Sequence, residues 1–260
     1  WIISISTKEQ LAVVLKKEYP VNRVYLDYQL LLELEDDEVK EYAKKWQLGV
    51  VYPRIIRKNS FKVLDKIYEK SQEFPFAILK NVEALQFLKQ HNYKGAMIFD
   101  YTMYIWNSGS ALWAKEDATG FCYPVELNKN ELHQIDVPQN LWKEQMVYSY
   151  LPLMVTANCL KKTTDRCGQK NPIDELYDRY QKAFFSKSNC LLCYSEIYNC
   201  VPLSLHKYFM EMKHKVDAFR LDFTIEDFKV TETVLDMYFQ MSETVDIGEY
   251  TTGHYKRGVE

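Results

Sequence analysis

Apolar positions along the chain fall into short runs. Each run is followed by a stretch whose apolar residues recur at helical spacing. "WIISIS" leads into "TKEQLAVVLKKE", where Thr7 is placed to cap a helix and Leu11, Val14 and Leu15 share a face. "RVYLDY" precedes "LLLELEDDEVKEYAKKW", "LGVVYPRII" precedes "SFKVLDKIYEKSQ", and "PFAILKN" precedes "VEALQFLKQHN". "GAMIFDYTMYIW" precedes "SGSALWAKE", and "FCYPVELN" precedes "NELHQI". "QMVYSYLPLMV" opens a cysteine-rich region, and "AFRLDFT" precedes "ETVLDMYFQMS". The pattern predicts about eight strands, most followed by a helix.

Near-continuous apolar strands are buried on both faces, as in a parallel sheet covered by helices. Alternating strand and helix imply right-handed crossovers, and about eight such units close into an α/β (β/α)8 TIM-type barrel. A doubly wound sheet is the alternative. It calls for a Gly-rich turn after the first strand, and "WIISISTKEQ" has no glycine. The chain of 260 residues is expected to form a single barrel domain over 1–260. One interval breaks the rhythm. Residues 158–215 separate barrel strands 7 and 8 by far more than a helix needs, and read as a Cys-rich insertion. An insertion after a barrel strand lies on the C-terminal face, where barrels do chemistry.

Composition narrows the class. The balance of 47% hydrophobic and 27% charged residues is that of a globular domain. A net charge of −3 gives no overall attraction to nucleic acid or anionic membrane. No run approaches the roughly 20 apolar residues of a membrane span. With no export signal, the cytoplasm is the expected compartment, and thiols there stay reduced. The chain begins at Trp1 and ends in "YKRGVE", so a fragment of a longer protein with further domains is expected.

Five of the six cysteines fall in the insertion: Cys159, Cys167, Cys190, Cys193 and Cys200. In a reducing compartment such clustering favours metal ligation or redox work over disulfides. The spacing C-x7-C-x22-C-x2-C places one chelating pair at 190–193 and needs the second pair from a separate segment. Four converging thiolates satisfy either zinc or an iron–sulfur cluster, and spacing does not separate the two. The alternative is that buried free thiols act as small hydrophobes, a reading that suits Cys122 on its strand.

Here the sequence is also similar to a known family. "VYSYLPLMVTANC", "CGQKNPIDELYDRYQKAFF", "NCLLCYSEIYNCVPLSL" and "TTGHYKRGVE" together resemble the collagenase-like peptidases of unknown catalytic type, peptidase family U-thirty-two. "RVYLDY", "DYTMYIWN" and "PVELNKNEL" fit the same family's barrel strands, and the likeness is to its longer, multidomain, bacterial-type members. The resemblance implies a peptidase acting on collagen-like peptide. Its rival implication is the activity of other members, which act in hydroxylating RNA bases or a quinone precursor, some of them with a four-iron–four-sulfur cluster held by four cysteines. Carried over by position, the cluster ligands would be Cys159, Cys167, Cys190 and Cys193. Ser149 stands where a glycine is usual, and Cys200 where a serine is usual, which leaves the ligand set open.

Hydrolase machinery of the common kinds is missing. The sequence contains no GxSxG, HExxH, HxxEH or GxxxxGK[ST]. A Cys–His pair remains open, because partners need only meet in space. Of His91, His133, His206, His214 and His254, the last lies beside Lys256 and Arg257 and is placed to close over the barrel mouth. Barrel logic nominates polar strand-end residues: Asp27, Arg54, Asn81, Asp100, Tyr101, Asn107, Glu126, Asn128, Arg220 and Asp222. Glu126 is the acid–base candidate, since burial raises a carboxyl pKa. Arg220 and Asp222 also read as rim groups paired with each other or a neighbour. The aromatics of "DYTMYIW" and "HKYFMEM" could stack bases, but such residues more often pack helices onto a barrel. The remaining reading is a non-catalytic domain whose metal only staples the insertion.

Overall fold

A computed structural model describes residues 1–165, 167–168, 173–240 and 246–258. The turn expected within "CGQKNPIDE" includes Gln169 to Pro172, which lie outside them. Seven parallel strands come first: β1 (Ile2–Ile5), β2 (Arg23–Asp27), β3 (Gln47–Val51), β4 (Phe76–Leu79), β5 (Ala96–Phe99), β6 (Gly120–Cys122) and β7 (Trp142–Ser149). The chain then forms β8 (Pro152–Thr156), β9 (Ile173–Tyr177), β10 (Ala183–Asn189), β11 (Tyr194–Tyr198) and the short β12 (Leu203–Ser204) before β13 (Ala218–Asp222). β13 pairs in parallel with both β7 and β1, and β6 pairs with β7. Eight parallel strands therefore close into a barrel, as the sequence pattern requires.

Helices fill the crossovers. α1 (Lys8–Lys16) follows β1, and α2 (Tyr28–Glu33) and α3 (Asp36–Lys45) follow β2. α4 (Phe61–Ser71), α5 (Val82–Gln90), α6 (Ser108–Asp117) and α7 (Lys129–Gln134) follow β3 to β6. α8 (Leu160–Thr163) is a single turn in the insertion, and α9 (Phe228–Gln240) follows β13. Thr7 caps α1 in a capping box with Gln10. Asn81, Asn107 and Asn128 cap α5, α6 and α7 by accepting backbone N–H bonds. Asp27 likewise caps α2 by accepting the Gln29 N–H, so four of the nominated strand-end residues start the next helix. Among the described residues no helix is long and apolar enough to cross a membrane.

Two expected strands are shorter than their apolar runs. "GAMIFDYTMYIW" stops being strand at Phe99, and Tyr101–Met103 form a 3-10 turn. Tyr104 then adopts φ 53°, a left-handed conformation that no strand tolerates. "QMVYSYLPLMV" divides between β7, in the barrel, and β8, which leaves it. β8 joins an antiparallel sheet of order β8-β11-β10-β9, so the insertion begins before residue 158.

Strand residues alternate between two apolar layers. Val24, Leu26, Ala77, Leu79 and Leu221 face outward, into the core shared with the helices. Ile2, Tyr25, Val51, Phe76, Ile78 and Ala218 face inward. Large inward side chains require small neighbours. A Cβ on Gly49 would lie 2.6 Å from the Tyr25 ring, and one on Gly120 would lie 2.7 Å from Trp142 Cβ and 2.8 Å from its carbonyl oxygen. At the N-terminal end the Arg23 guanidinium lies between the rings of Phe76 and Trp142, 4.1 Å and 4.2 Å from their centroids. Because the Gly120 clash is partly with backbone, Gly120→Ala should destabilise the barrel by about 1–3 kcal/mol, read as a lower midpoint in chemical unfolding. An unchanged midpoint would show that β6 and β7 are not packed this closely.

Candidate active site at the barrel mouth

β13 sends Ala218, Arg220 and Asp222 inward, at successively higher levels of the barrel. Arg220 is 1% exposed. Its Nη2 donates to Asp100 Oδ1 at the end of β5, and its Nη1 to Glu144 Oε2 on β7 at 3.4 Å. Glu144 Oε1 accepts from Tyr25 OH at 2.6 Å. Burial opposes the guanidinium charge, but Asp100, Cys122, Glu144 and Asp222 together hold the Arg220 pKa well above its ordinary value. Glu144 is pushed upward by burial, with Arg220 and Tyr25 pulling the other way. The middle of the barrel is therefore an ionic layer, and Arg220 pairs with Asp100 and Glu144 rather than with Asp222.

Above this layer lies a cleft. Its floor includes Ser4 (β1), Asp27 (β2), Lys80 (just past β4) and Asp222 (β13), and its roof is Lys187 and Asn189 of β10 with Tyr194, Glu196 and Tyr198 of β11. Burial pushes the Asp27 carboxyl pKa up, and the nearby Lys187 and Lys80 charges oppose the rise. Lys80 is its counterpart. Burial works against the ammonium, yet Asp100, Asp222, Glu196 and Asp27 raise its pKa overall. Lys80 is thus held as a cation and not as an amine nucleophile. Tyr198 OH donates to Glu196 Oε2 at 3.1 Å, and Lys187 Nζ donates to the Thr224 carbonyl at 3.0 Å. The cleft leaves about 30 Å³ free, room for one or two waters.

The thiols lie at one end of the insertion sheet. Cys190 and Cys193 bound the four-residue turn between β10 and β11, with Cys193 at φ 52°. Cys159 precedes α8, and its Sγ donates to Ser188 Oγ at 4.0 Å. The Lys162 N–H, with help from that of Lys161 and the Ser188 and Ser195 hydroxyls, draws the Cys159 pKa down against burial. Burial raises the Cys190 pKa, and Cys159, Cys167 and Cys193 lie close enough to raise it further. The two segments do share one neighbourhood. Among the described residues, however, no three Cys, His, Asp or Glu side chains converge closely enough to hold a metal ion. The thiols are of the kind that thiophilic metals take, but among the described residues they are not gathered into a site. Cys200 lies beyond the far end of β11, six residues intervening after Cys193, and the five strand residues alone span roughly 16 Å. Its thiol donates to Asn199 Oδ1 at 3.6 Å.

Of the other nominated residues, Arg54 borders the cleft and the rest fall outside it. Glu126 lies in the turn after β6, with a buried Oε2 that has no partner among the described residues. His254 is exposed, and its Nδ1 bonds the Gly258 carbonyl within its own turn. Tyr101 is buried beside the ionic layer, and Arg54 lines the cleft wall. Lys80 went unread although strand parity points to it: Phe76, Ile78 and Lys80 alternate inward, whereas Asn81 turns away to cap α5. Lys187, Glu196 and Tyr198 carried no local signal, because β10 and β11 return to the mouth from far along the chain.

Glu226 anchors the loop that follows β13. Its Oε2 accepts the N–H groups of Thr224 at 2.6 Å and Ile225 at 2.9 Å. Burial lifts its pKa to about 7, partly offset by those backbone bonds. A carboxyl raised in the folded state binds more protons there than when unfolded. Its stabilising contribution is complete below the ordinary value of 4.5 and is lost as pH rises through about 7. Relative to Glu226→Gln, the native chain should lose up to about 3 kcal/mol between pH 4.5 and pH 8, measured by urea unfolding at each pH. Parallel pH profiles for the two proteins would refute the assignment.

Among solved structures the chain is similar to the U32 peptidase Mk0906, with a TM-score of 0.48 and 8% identity over 87% of this chain and 93% of that chain. It is also similar to a chitinase from Chromobacterium violaceum, with a TM-score of 0.41 and 9% identity over 90% of this chain and 98% of that one. No protein-family profile matches the chain. No curated protein matches it in sequence. Likenesses this loose bear on neither activity nor family. The barrel rests on its own strand pairing, and the chemistry on the mouth.

Proposed function

We propose that the barrel mouth is an acid–base active site for hydrolysis, in the peptidase role that the U-thirty-two resemblance implies. The carrying observation is Asp27, whose carboxyl pKa is raised by burial, set beside Glu196, Asp222 and the Lys80 cation around a water-sized space. A carboxyl whose proton is held by burial can serve as the acid beside another carboxylate that serves as the base. In this reading Asp27 gives a proton to the leaving group and Glu196 or Asp222 takes one from water. Lys80 faces the negative charge that develops on the attacked carbonyl oxygen. Arg220 and Asp100 act from below by fixing the field the carboxylates feel.

A Ser–His peptidase is the weaker form of this reading. Ser204 Oγ bonds His206 Nδ1 at 2.9 Å, but Ser204 is fully buried and also bonds Tyr238 OH. A nucleophile must reach its substrate, so this pair belongs to the core. The expected result for the acid–base site is cleavage of denatured collagen that survives stringent purification of the full chain. Asp27→Asn and Lys80→Met should each lower kcat/KM by about 100-fold or more while unfolding midpoints stay in place. Cleavage that persists in both variants would mark a contaminant and discard the proposal.

The thiols favour a second reading, in which the chain holds an iron–sulfur cluster or zinc and supports hydroxylation of an RNA base or a small aromatic. Its support is that Cys190 lies within electrostatic reach of Cys159, Cys167 and Cys193. A cluster would supply one-electron chemistry, and zinc a Lewis acid or a structural staple. Protein purified without oxygen should carry iron and sulfide, or zinc, that Cys190→Ser removes and Cys200→Ser leaves in place. Metal content untouched by Cys190→Ser, or lost equally with Cys200→Ser, would rule out this ligand set.

A further inference from the structure

The free space at the mouth is about 30 Å³, so no molecule much larger than water reaches Asp27 or Lys80 while the roof stays down. The roof and the barrel are held by different forces. Barrel strands are fixed by apolar layers on both faces. The underside of the insertion sheet lines the mouth with Lys187, Asn189, Glu196 and phenolic tyrosines, and only Leu192 and Tyr194 of its β10–β11 hairpin join the buried apolar core. Polar groups of this kind exchange protein partners for water at little net cost. Lys187 Nζ to the Thr224 carbonyl, 3.0 Å, crosses the gap between sheet and barrel.

The attachment of the sheet is also confined. The chain leaves β7 through Tyr150 and Leu151, and returns through residues 199–202 to β12, which pairs with β7. The two crossings are bonded to each other by Asn199 N–H to the Leu151 carbonyl at 3.0 Å. The pairing of β11 with β8 shifts register between Ile197 and Tyr198, at the same place. Adjacent crossings beside an irregular register form a hinge, because a small change in a few backbone angles there swings everything beyond it.

We propose that the insertion sheet is a lid over the barrel mouth, hinged at 150–151 and 199–202 and latched by Lys187 on Thr224, and that it lifts to admit substrate. The proposal rests on the mouth being the site of chemistry, but its test reads access alone and needs no substrate. A thiol placed on the floor by Ser4→Cys, followed by peptide mass analysis after iodoacetamide, should alkylate slowly. Adding Lys187→Met should speed alkylation at position 4 by tenfold or more. In the otherwise native chain, Lys187→Met should also raise amide hydrogen exchange over 183–198 by tenfold or more, with the barrel strands at 2–5 and 76–79 unchanged. Alkylation at position 4 as fast as at exposed Cys190, equal rates with and without Lys187, or exchange that rises in lid and barrel together would each overturn the lid.

Discussion

A guanidinium buried at the centre of a closed barrel constrains everything above it. Arg220 has no route to water, and its charge is met by Asp100 and Glu144. Such an arrangement survives only when every partner is in place. Removing one member of a buried ion set strands the others and costs about 3–5 kcal/mol. Strands β2, β5, β7 and β13 must therefore keep their registers for Tyr25, Asp100, Glu144 and Arg220 to meet. The layer also sets the charge of the mouth. Asp100 is bonded to Arg220 and also, with Asp222, Glu196 and Asp27, holds Lys80 as a cation.

The barrel was legible because burial on two faces leaves a simple record. Inward and outward residues both stay apolar, so each strand reads as a short continuous run closed by polar residues. Asp100, Arg220 and Asp222 could be nominated because a charged residue at the end of such a run has few places to go. What that logic lacked was parity. Counting alternate positions from Phe76 and Ile78 reaches Lys80, while the neighbouring Asn81 faces outward as a helix cap. Polarity alone drew attention to the helix cap and not to its inward-facing neighbour. The extended reading of "YTMYIW" failed for a related reason. Apolar content cannot report the 3-10 turn or the left-handed Tyr104 that bends the chain away from β5.

The roof of the cleft was beyond local reasoning. Lys187, Glu196 and Tyr198 sit on strands that pair only within the insertion, so no barrel pattern places them. Their relation to Asp27 spans more than half the chain and depends on how the inserted sheet returns over the mouth. The cysteines were a partial exception. Their spacing required two segments to meet, and Cys190 does have Cys159 and Cys167 as neighbours. Spacing could not exclude Cys200. The length of β11 does, because a strand is stiff and its two ends cannot serve one ligand shell.

That strand also ties the two chemical features together. Tyr194, Glu196 and Tyr198 alternate along β11 and share the face that looks into the cleft. Cys193 immediately precedes Tyr194, so the turn that carries two thiols is also the outer end of the strand that roofs the mouth. A metal or cluster held at 190–193 would fix that end, while the Leu151–Asn199 bond holds the other. The position of Glu196 relative to Asp27 and Lys80 would then depend on what the thiols hold. A ligand bound at the edge of the insertion would act on the proposed acid–base groups mechanically, by limiting where one strand can go, without touching them.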